Sequence, residues 1–322
     1  MHKIAFVIPA YNEEENLRPL TERISKACAA HGVDDFQIII VENGSSDNSM
    51  AVLQELNAAD RRICALSMSR NFGPQGAIYA GLCHADAEWT CIMDGDQQDP
   101  PEFAMEMYEK AKEGYDIVYA VRESRVERPL RKLGFLAFYR VWRWATPIQI
   151  PLDAGEFGFM HRRVVDTIVS MKETFRFNRG LRTWVGFRQT GMKHHRPDRV
   201  AGEQKFTIRK DLALAMDAIL SFSVIPLRLM LTLGAMLSGI ALAIFVVDLL
   251  AIVLDWIGYP LLRAALPAGL STLNLVLLVF FGFTVFCLGI IGEYIGRIYE
   301  ETKRRPGFIV SSVIGEVKSI IA

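Results

Sequence analysis

Asp94-Gly95-Asp96, running on into Gln97-Gln98-Asp99-Pro100-Pro101, is the stretch of this chain best suited to chemistry. Two carboxylates one residue apart at a strand end can share one hard cation. A cation held that way keeps positions open for the phosphate oxygens of a substrate. Asp-x-Asp triplets also occur in solvated turns, so the surroundings decide. Here a short apolar run, residues 89–93, leads into the triplet, Pro-Pro follows it, and two long apolar segments lie far downstream.

The elements that must carry this triplet are readable from periodicity. Short apolar runs at 3–9, 37–42, 63–67, 90–94 and 116–120 alternate with amphipathic stretches at 14–31, 46–59, 74–85 and 101–113. That alternation predicts an α/β domain with a doubly wound sheet. In such sheets ligands bind beyond the carboxyl ends of the strands. Those ends carry Ala10-Tyr11-Asn12-Glu13, the run from Glu42 to Asp47, the run from Ser69 to Gly73, and the Asp94–Asp96 triplet itself. No Gly-x-Gly-x-x-Gly follows the first strand and no Gly-Lys-Ser/Thr loop occurs, which argues against a dinucleotide dehydrogenase and against an ATPase.

Thirty-six basic and 36 acidic residues leave no net charge, so no global field points to nucleic acid. The apolar content is unevenly spread. Between residues 229 and 254 the only charge is Asp248, and between 264 and 292 there is none. Each run exceeds the roughly 20 residues a helix needs to cross a bilayer. The start of the chain breaks at once into Asn12-Glu13-Glu14-Glu15 and does not read as a signal peptide. Arg209, Lys210 and Arg228 precede the first span, and Arg297, Lys303, Arg304 and Arg305 follow the second; the loop between them offers only Arg263. This bias predicts a multi-pass protein of the inner membrane with both termini in the cytoplasm. The five cysteines show neither metal-site nor redox-pair spacing and read as core residues. The expected organisation is a catalytic domain over 1–225, two transmembrane helices within 226–293 (about 229–254 and 269–292), and a cytoplasmic tail over 294–322. Aromatic and arginine-rich composition near 131–147, with a second stretch near 209–225, predicts segments lying in the membrane interface.

The chain resembles the family 2 glycosyltransferases that charge polyprenyl phosphate with one sugar, the bactoprenol glucosyltransferase and dolichol-phosphate mannose synthase group. The resemblance runs almost end to end. Its motifs include Ile8-Pro9-Ala10-Tyr11-Asn12-Glu13-Glu14, Ser69-Arg70-Asn71-Phe72-Gly73, Asp94-Gly95-Asp96-Gln97-Gln98-Asp99-Pro100 and Arg176-Phe177-Asn178-Arg179-Gly180-Leu181. Pro226-Leu227-Arg228 and Gly292-Glu293-Tyr294-Ile295-Gly296-Arg297 flank the apolar pair. The resemblance implies a GT-A domain, a nucleotide-sugar donor, Mg²⁺ or Mn²⁺, inversion at the anomeric carbon, and a homo-oligomer, with four chains as in relatives.

It also implies roles. Asp94 and Asp96, with Gln98 assisting, would hold the metal. Pro9, Tyr11, Glu13, Glu42 and Asp47 would cradle the nucleoside, and Arg70 could approach the same place or form a structural ion pair. Arg122 and Arg131 match positions that hold the lipid phosphate, while Arg199 and Lys205 belong to a basic loop over the donor. Glu156 stands where relatives often carry aspartate as acceptor-orienting group or base, and Asp153 is its competitor. Two further departures are Glu42-Asn43 in place of an acidic pair, and Pro74-Gln75-Gly76 at a helix start near the donor. The expected reaction moves glucose from UDP-glucose to undecaprenyl phosphate. Another sugar (a modified arabinose, mannose or N-acetylhexosamine) and an inactive membrane scaffold are the alternatives.

Overall fold

The structure, a computed structural model, describes residues 1–122, 154–174, 176–194, 223, 225–257 and 269–318. Asp153, Arg131, Arg199 and Lys205, the segment near 131–147 and most of 209–225 lie outside the described residues.

Strands β1 (His2–Ala10) and β2 (Phe36–Glu42) are near-continuous apolar runs, as expected of strands covered on both faces. They pair in parallel, with Val7 beside Ile39 and Ala10 beside Glu42. β3 (Ile63–Met68) adds in parallel to β2, and β4 (Ala87–Ile92) adds in parallel to the other side of β1. β6 (Ala154–His161) runs antiparallel to β4, and β5 (Ile117–Arg122) antiparallel to β6. β7 (Gln189–His194) follows β5 in parallel, and β8 (Val310–Ile314) closes the far side antiparallel to β3. The order is β7-β5-β6-β4-β1-β2-β3-β8.

This topology positions the site. Two successive antiparallel pairings turn β5 back to the direction of β4. The ends of β1, β2, β4, β5 and β7 and the start of β6 therefore share one sheet edge. Strand order reverses beside β1, between β2 and β4, which opens the crevice where such sheets bind ligands.

Helices cover both faces because successive strand residues point opposite ways. Ile4, Phe6 and Ile8 of β1 pack with Leu17, Leu20 and Ile24 of α1 (Glu14–Ala30), Leu53 of α2 (Ser49–Ala59) and Tyr108 of α4 (Pro101–Ala111). Ala5 and Val7 face the other way, against Ala77 and Ala80 of α3 (Gly73–His84). Each such side chain contributes about 1.5–3 kcal/mol where it is large and fully buried. All five cysteines are free; burial pushes the Cys28 thiol up to about 12, so it behaves as a small core hydrophobe.

Two elements differ from the sequence expectation for local reasons. β4 stops at Ile92 rather than at residue 94, because the Asp94 N–H turns away to the Asp99 carboxylate. α2 starts at Ser49 rather than at 46, where the Asp47 carboxylate takes the otherwise unpaired Ser49 N–H. The stretch 294–322, set apart from sequence as a tail, contributes β8 to the sheet. Phe308, Val310 and Val317 pack on the α3 face, and Gln37 donates to the Glu316 carbonyl at 2.7 Å.

His84 sits in this same layer, buried beside the Phe308 ring, its Nδ1 donating to the Ala80 carbonyl at 2.8 Å. Burial holds its pKa below the ordinary 6.5. Its neutral form therefore supports the fold fully above about pH 6.5, and that support is lost as pH falls below it. Thermal unfolding followed from pH 8 to pH 5 is expected to show a falling midpoint, with a shallower fall in His84→Asn.

Residues 219–303 form a second compact unit. It contains α7 (Ile225–Trp256) and α8 (Gly269–Thr302). Within Ile225–Leu254 and Val279–Thr302, 18-residue stretches reach mean hydropathies of 2.7 and 1.8, long and apolar enough to cross a bilayer. Leu242, Phe245, Ile252, Phe281 and Leu288 all point outward. An apolar surface of this extent associates with a membrane rather than with water.

Candidate active site

At the nucleoside end of the crevice, two loops lock together. Asn12, with φ +54°, donates its N–H to the Ser45 hydroxyl at 3.0 Å and accepts from the Ser46 N–H at 2.8 Å. Asp47 accepts from the Glu14 N–H at 3.2 Å and the Ser49 N–H at 3.1 Å. Burial opposes the charge on Asp47, but bonds from Ser49 and Glu14 outweigh it and hold the carboxyl below its ordinary value. Glu42 is buried, and its two oxygens take the Ser45 N–H and, at 3.0 Å, the Ser67 hydroxyl. Glu13 accepts from Asn16 at 2.6 Å, and the Tyr11 ring is exposed at the rim beyond Pro9.

Asn43 joins this end to the loop after β3. Its amide donates to Asn71 at 3.2 Å and to the Gly73 carbonyl at 3.1 Å, and its oxygen accepts from the Phe72 N–H at 2.9 Å. Gly44 makes that approach feasible. It has φ +73°, and a Cβ there would lie 2.7 Å from the Arg70 carbonyl carbon. Arg70 stacks on Phe72 at 3.9 Å and donates to the Asn71 carbonyl at 3.1 Å, so it braces its own loop.

The acidic turn closes on itself between β4 and α4. The Asp94 N–H donates to Asp99 at 3.0 Å, and the Gln98 N–H donates to Asp96 at 3.1 Å. Gln97, at φ +61°, reaches across to Asn16 at 3.0 Å. Gly95 lies against β1, where a Cβ would come 3.2 Å from the Pro9 carbonyl oxygen. Asp96 and Asp99 are buried. Among the described residues no cluster of three or more His, Cys, Asp or Glu side chains forms a self-sufficient metal cage. A pair of hard carboxylates one residue apart fits Mg²⁺ or Mn²⁺ whose other positions are filled by substrate oxygens and water.

Asp94 and Asp99 line one cavity together with Arg122 at the end of β5, Gly155, Glu156 and Phe157 of β6, and His194 at the end of β7. Glu156 accepts from Gln75 at 3.1 Å and lies 3.4 Å from the Arg179 guanidinium. Arg179 and Arg182 belong to a short helix, α6 (Asn178–Trp184), preceded by α5 (Arg162–Ser170). Arg182 is 4 % exposed, lies over the Tyr119 ring at 5.0 Å and donates to the Glu156 carbonyl at 3.5 Å. Burial pulls its pKa down to about 10, with the Glu156 charge opposing that fall. Gln75 also accepts from the Asn178 N–H at 2.8 Å, so it ties the start of α3 to both Glu156 and α6.

The fold thus brings Asp94, Arg122 and Glu156 to one cavity, with Asp96 in the turn beside Asp94. It brings Pro9, Tyr11, Glu13, Glu42 and Asp47 to the neighbouring loops. Sequence reasoning assigned no role to Asn43, Asp99, Arg179, Arg182 or His194. A signal existed for Arg179, inside the Arg176–Leu181 motif, and Arg182 follows directly after its last residue. None marked His194, whose ring stacks at 5.0 Å on Phe103.

The sequence pattern described as Glycosyl transferase family 2 matches residues 5–168. The chain is 40% identical to an uncharacterized glycosyltransferase, YkcC, of Bacillus subtilis (strain 168), over 97% of this chain and 94% of the relative. It is 33% identical to an undecaprenyl-phosphate 4-deoxy-4-formamido-L-arabinose transferase of Proteus mirabilis (strain HI4320), over 99% of this chain and 96% of that one. It is 32% identical to a prophage bactoprenol glucosyl transferase homolog of Escherichia coli (strain K12), over 97% and 99% respectively. With its GT-A type sheet and a carboxylate pair at the strand edge, the chain belongs to glycosyl transferase family 2.

Proposed function

We propose that this glycosyltransferase moves a single glucose from UDP-glucose to undecaprenyl phosphate, with inversion, at the cytoplasmic face of the membrane. The observation that carries the reading is the cavity shared by Asp94, Arg122 and Glu156, which sets an acidic metal-type turn against a cationic and a carboxylate group. The lipid acceptor is supported by the names of the relatives and by two apolar helices. Residues 304–322 belong to the same unit as residues 1–218, which supports a hairpin whose two ends lie on one side of the membrane.

Asp94 and Asp96 hold the cation, with Gln98 beside them. When bound, the cation supplies a Lewis acid for the departing diphosphate. Tyr11 and the loops held by Glu42 and Asp47 seat the nucleoside. The acceptor phosphate already carries between one and two negative charges at neutral pH, so it needs alignment and charge compensation more than deprotonation. Arg122 compensates it from the cavity wall, and Arg131, Arg199 and Lys205 are proposed to act with it. Glu156, or Asp153 beside it in sequence, orients the attacking oxygen.

Purified protein given undecaprenyl phosphate and a panel of labelled nucleotide sugars tests the reading, and transfer of glucose to lipid is the expected result. The formamido-arabinose relative favours a second reading, so the panel includes that UDP-sugar; transfer of it alone would replace glucose. Arg122→Ala is expected to raise the acceptor KM about tenfold while leaving UDP affinity nearly unchanged. Equal loss of both would remove Arg122 from acceptor binding.

A further inference from the structure

We propose that Ser67 is a positioning residue for the donor end of the site, and that strand β8, through Ser311, completes its hydrogen-bonding. This rests on the reading that the loops after β1 and β2 seat a nucleoside diphosphate. The argument follows one chain of hydrogen bonds. Ser311 donates to the Ser67 carbonyl at 3.0 Å, with the Ser67 hydroxyl at 3.4 Å. The Ser67 hydroxyl donates to one oxygen of buried Glu42 at 3.0 Å, and the other oxygen of Glu42 takes the Ser45 N–H. The Ser45 hydroxyl in turn accepts from the N–H of Asn12, which sits at positive φ in the loop carrying Tyr11.

A buried carboxylate needs its lone pairs met, and it holds its partners tightly when they are met. Ser67 is the only side-chain hydroxyl recorded on Glu42 among the described residues. Without it, Glu42 loses the contact that sets its orientation, and the Ser45–Asn12 pairing loses its anchor. The register of β3 against β8 shifts between Ser67 and Met68. Such an irregularity re-aims side chains locally, and it falls where Ser67 must serve β8 on one side and Glu42 on the other. The Ser69 N–H donates to the Ile309 carbonyl at 2.9 Å, which pins β8 on the far side of the irregularity. Ser67 touches neither the acidic turn nor the Glu156 cluster, so its effect is confined to the donor end.

The test uses full-length protein in detergent, with UDP as the binding probe and separate KM values for donor and acceptor. Ser67→Ala is expected to weaken UDP binding and raise the donor KM about fivefold to tenfold, with kcat and the acceptor KM within about twofold. Ser67→Thr, which keeps the hydroxyl and suits a strand, is expected to restore the wild-type values. Ser311→Ala is expected to produce a donor-side loss of about twofold. Unchanged UDP affinity in Ser67→Ala would overturn the proposal. So would parallel losses for donor and acceptor with a lowered melting temperature, or a threonine variant no better than alanine. A wild-type protein that binds no nucleoside diphosphate would overturn the underlying reading of the pocket as well, and the wild-type measurement alone separates that case.

Discussion

Asp96→Asn is expected to lower the rate of sugar transfer about a hundredfold to a thousandfold while leaving the fold intact. The substitution keeps an oxygen that can accept the Gln98 N–H, now made at 3.1 Å, so the turn retains its internal bond. What disappears is one negative charge in a buried position. In the proposed reaction that charge is half of the carboxylate pair that would hold the cation, beside the diphosphate where charge would develop during transfer. Losing a preorganised stabiliser of such charge costs on the order of 10²–10³ in rate. Labelled sugar transfer to lipid measures the effect. Chelation by EDTA is expected to abolish wild-type transfer and to change the residual activity of the variant little. The melting temperature should stay within about 3 °C, because no packing is removed. Activity above a tenth of wild type would remove Asp96 from the metal site.

Glu156→Gln carries the second large effect, and here catalysis and stability move together. The amide still offers an oxygen to Gln75, but Arg179 at 3.4 Å and the buried Arg182 lose their shared counter-charge. Leaving buried Arg182 and half-buried Arg179 without that compensation costs about 1–3 kcal/mol of stability. Transfer efficiency with respect to the acceptor is expected to fall about a hundredfold if Glu156 orients the attacking oxygen as proposed, because its carboxylate is gone. UDP affinity is expected to hold, since among the described residues Glu42 and Asp47, proposed to hold the nucleoside loops, share no hydrogen bond with this cluster. Kinetics with each substrate varied separately, set beside a thermal melt, test both parts. A loss confined to donor binding would move Glu156 to the nucleotide end.

The contrast between those two residues shows what a sequence can reveal here. Asp94 and Asp96 follow a local rule, a strand followed by an acidic turn, and from β1 to α4 short apolar runs alternate with longer helical stretches in sequence order. Glu156 was identifiable only through the family motif, because β6 is a glycine-containing strand whose partners β4 and β5 precede it by a long excursion. β7 is short and polar, and β8 pairs with β3 across a separation of 244 residues at Ser67 and Ser311. Nothing in local periodicity encodes such a pairing. Arg179 and Arg182 escaped for a different reason. A seven-residue helix is too short to show an amphipathic face, and arginine is ordinarily a surface residue. The burial of Arg182 and the pairing of Arg179 with Glu156 become visible only once α6 is set against β6.

The late pairing of β8 also bears on how the protein is made. A ribosome delivers β3 early and β8 last, with α7 and α8 between them. Until β8 emerges, β3 presents an open row of backbone N–H and C=O groups, the kind of edge that recruits strands from other chains. The sheet therefore gains β8 only after α7 and α8 have been synthesised. The short strand Val310–Ile314 thus ties closure of this sheet edge to prior synthesis of the apolar helix pair.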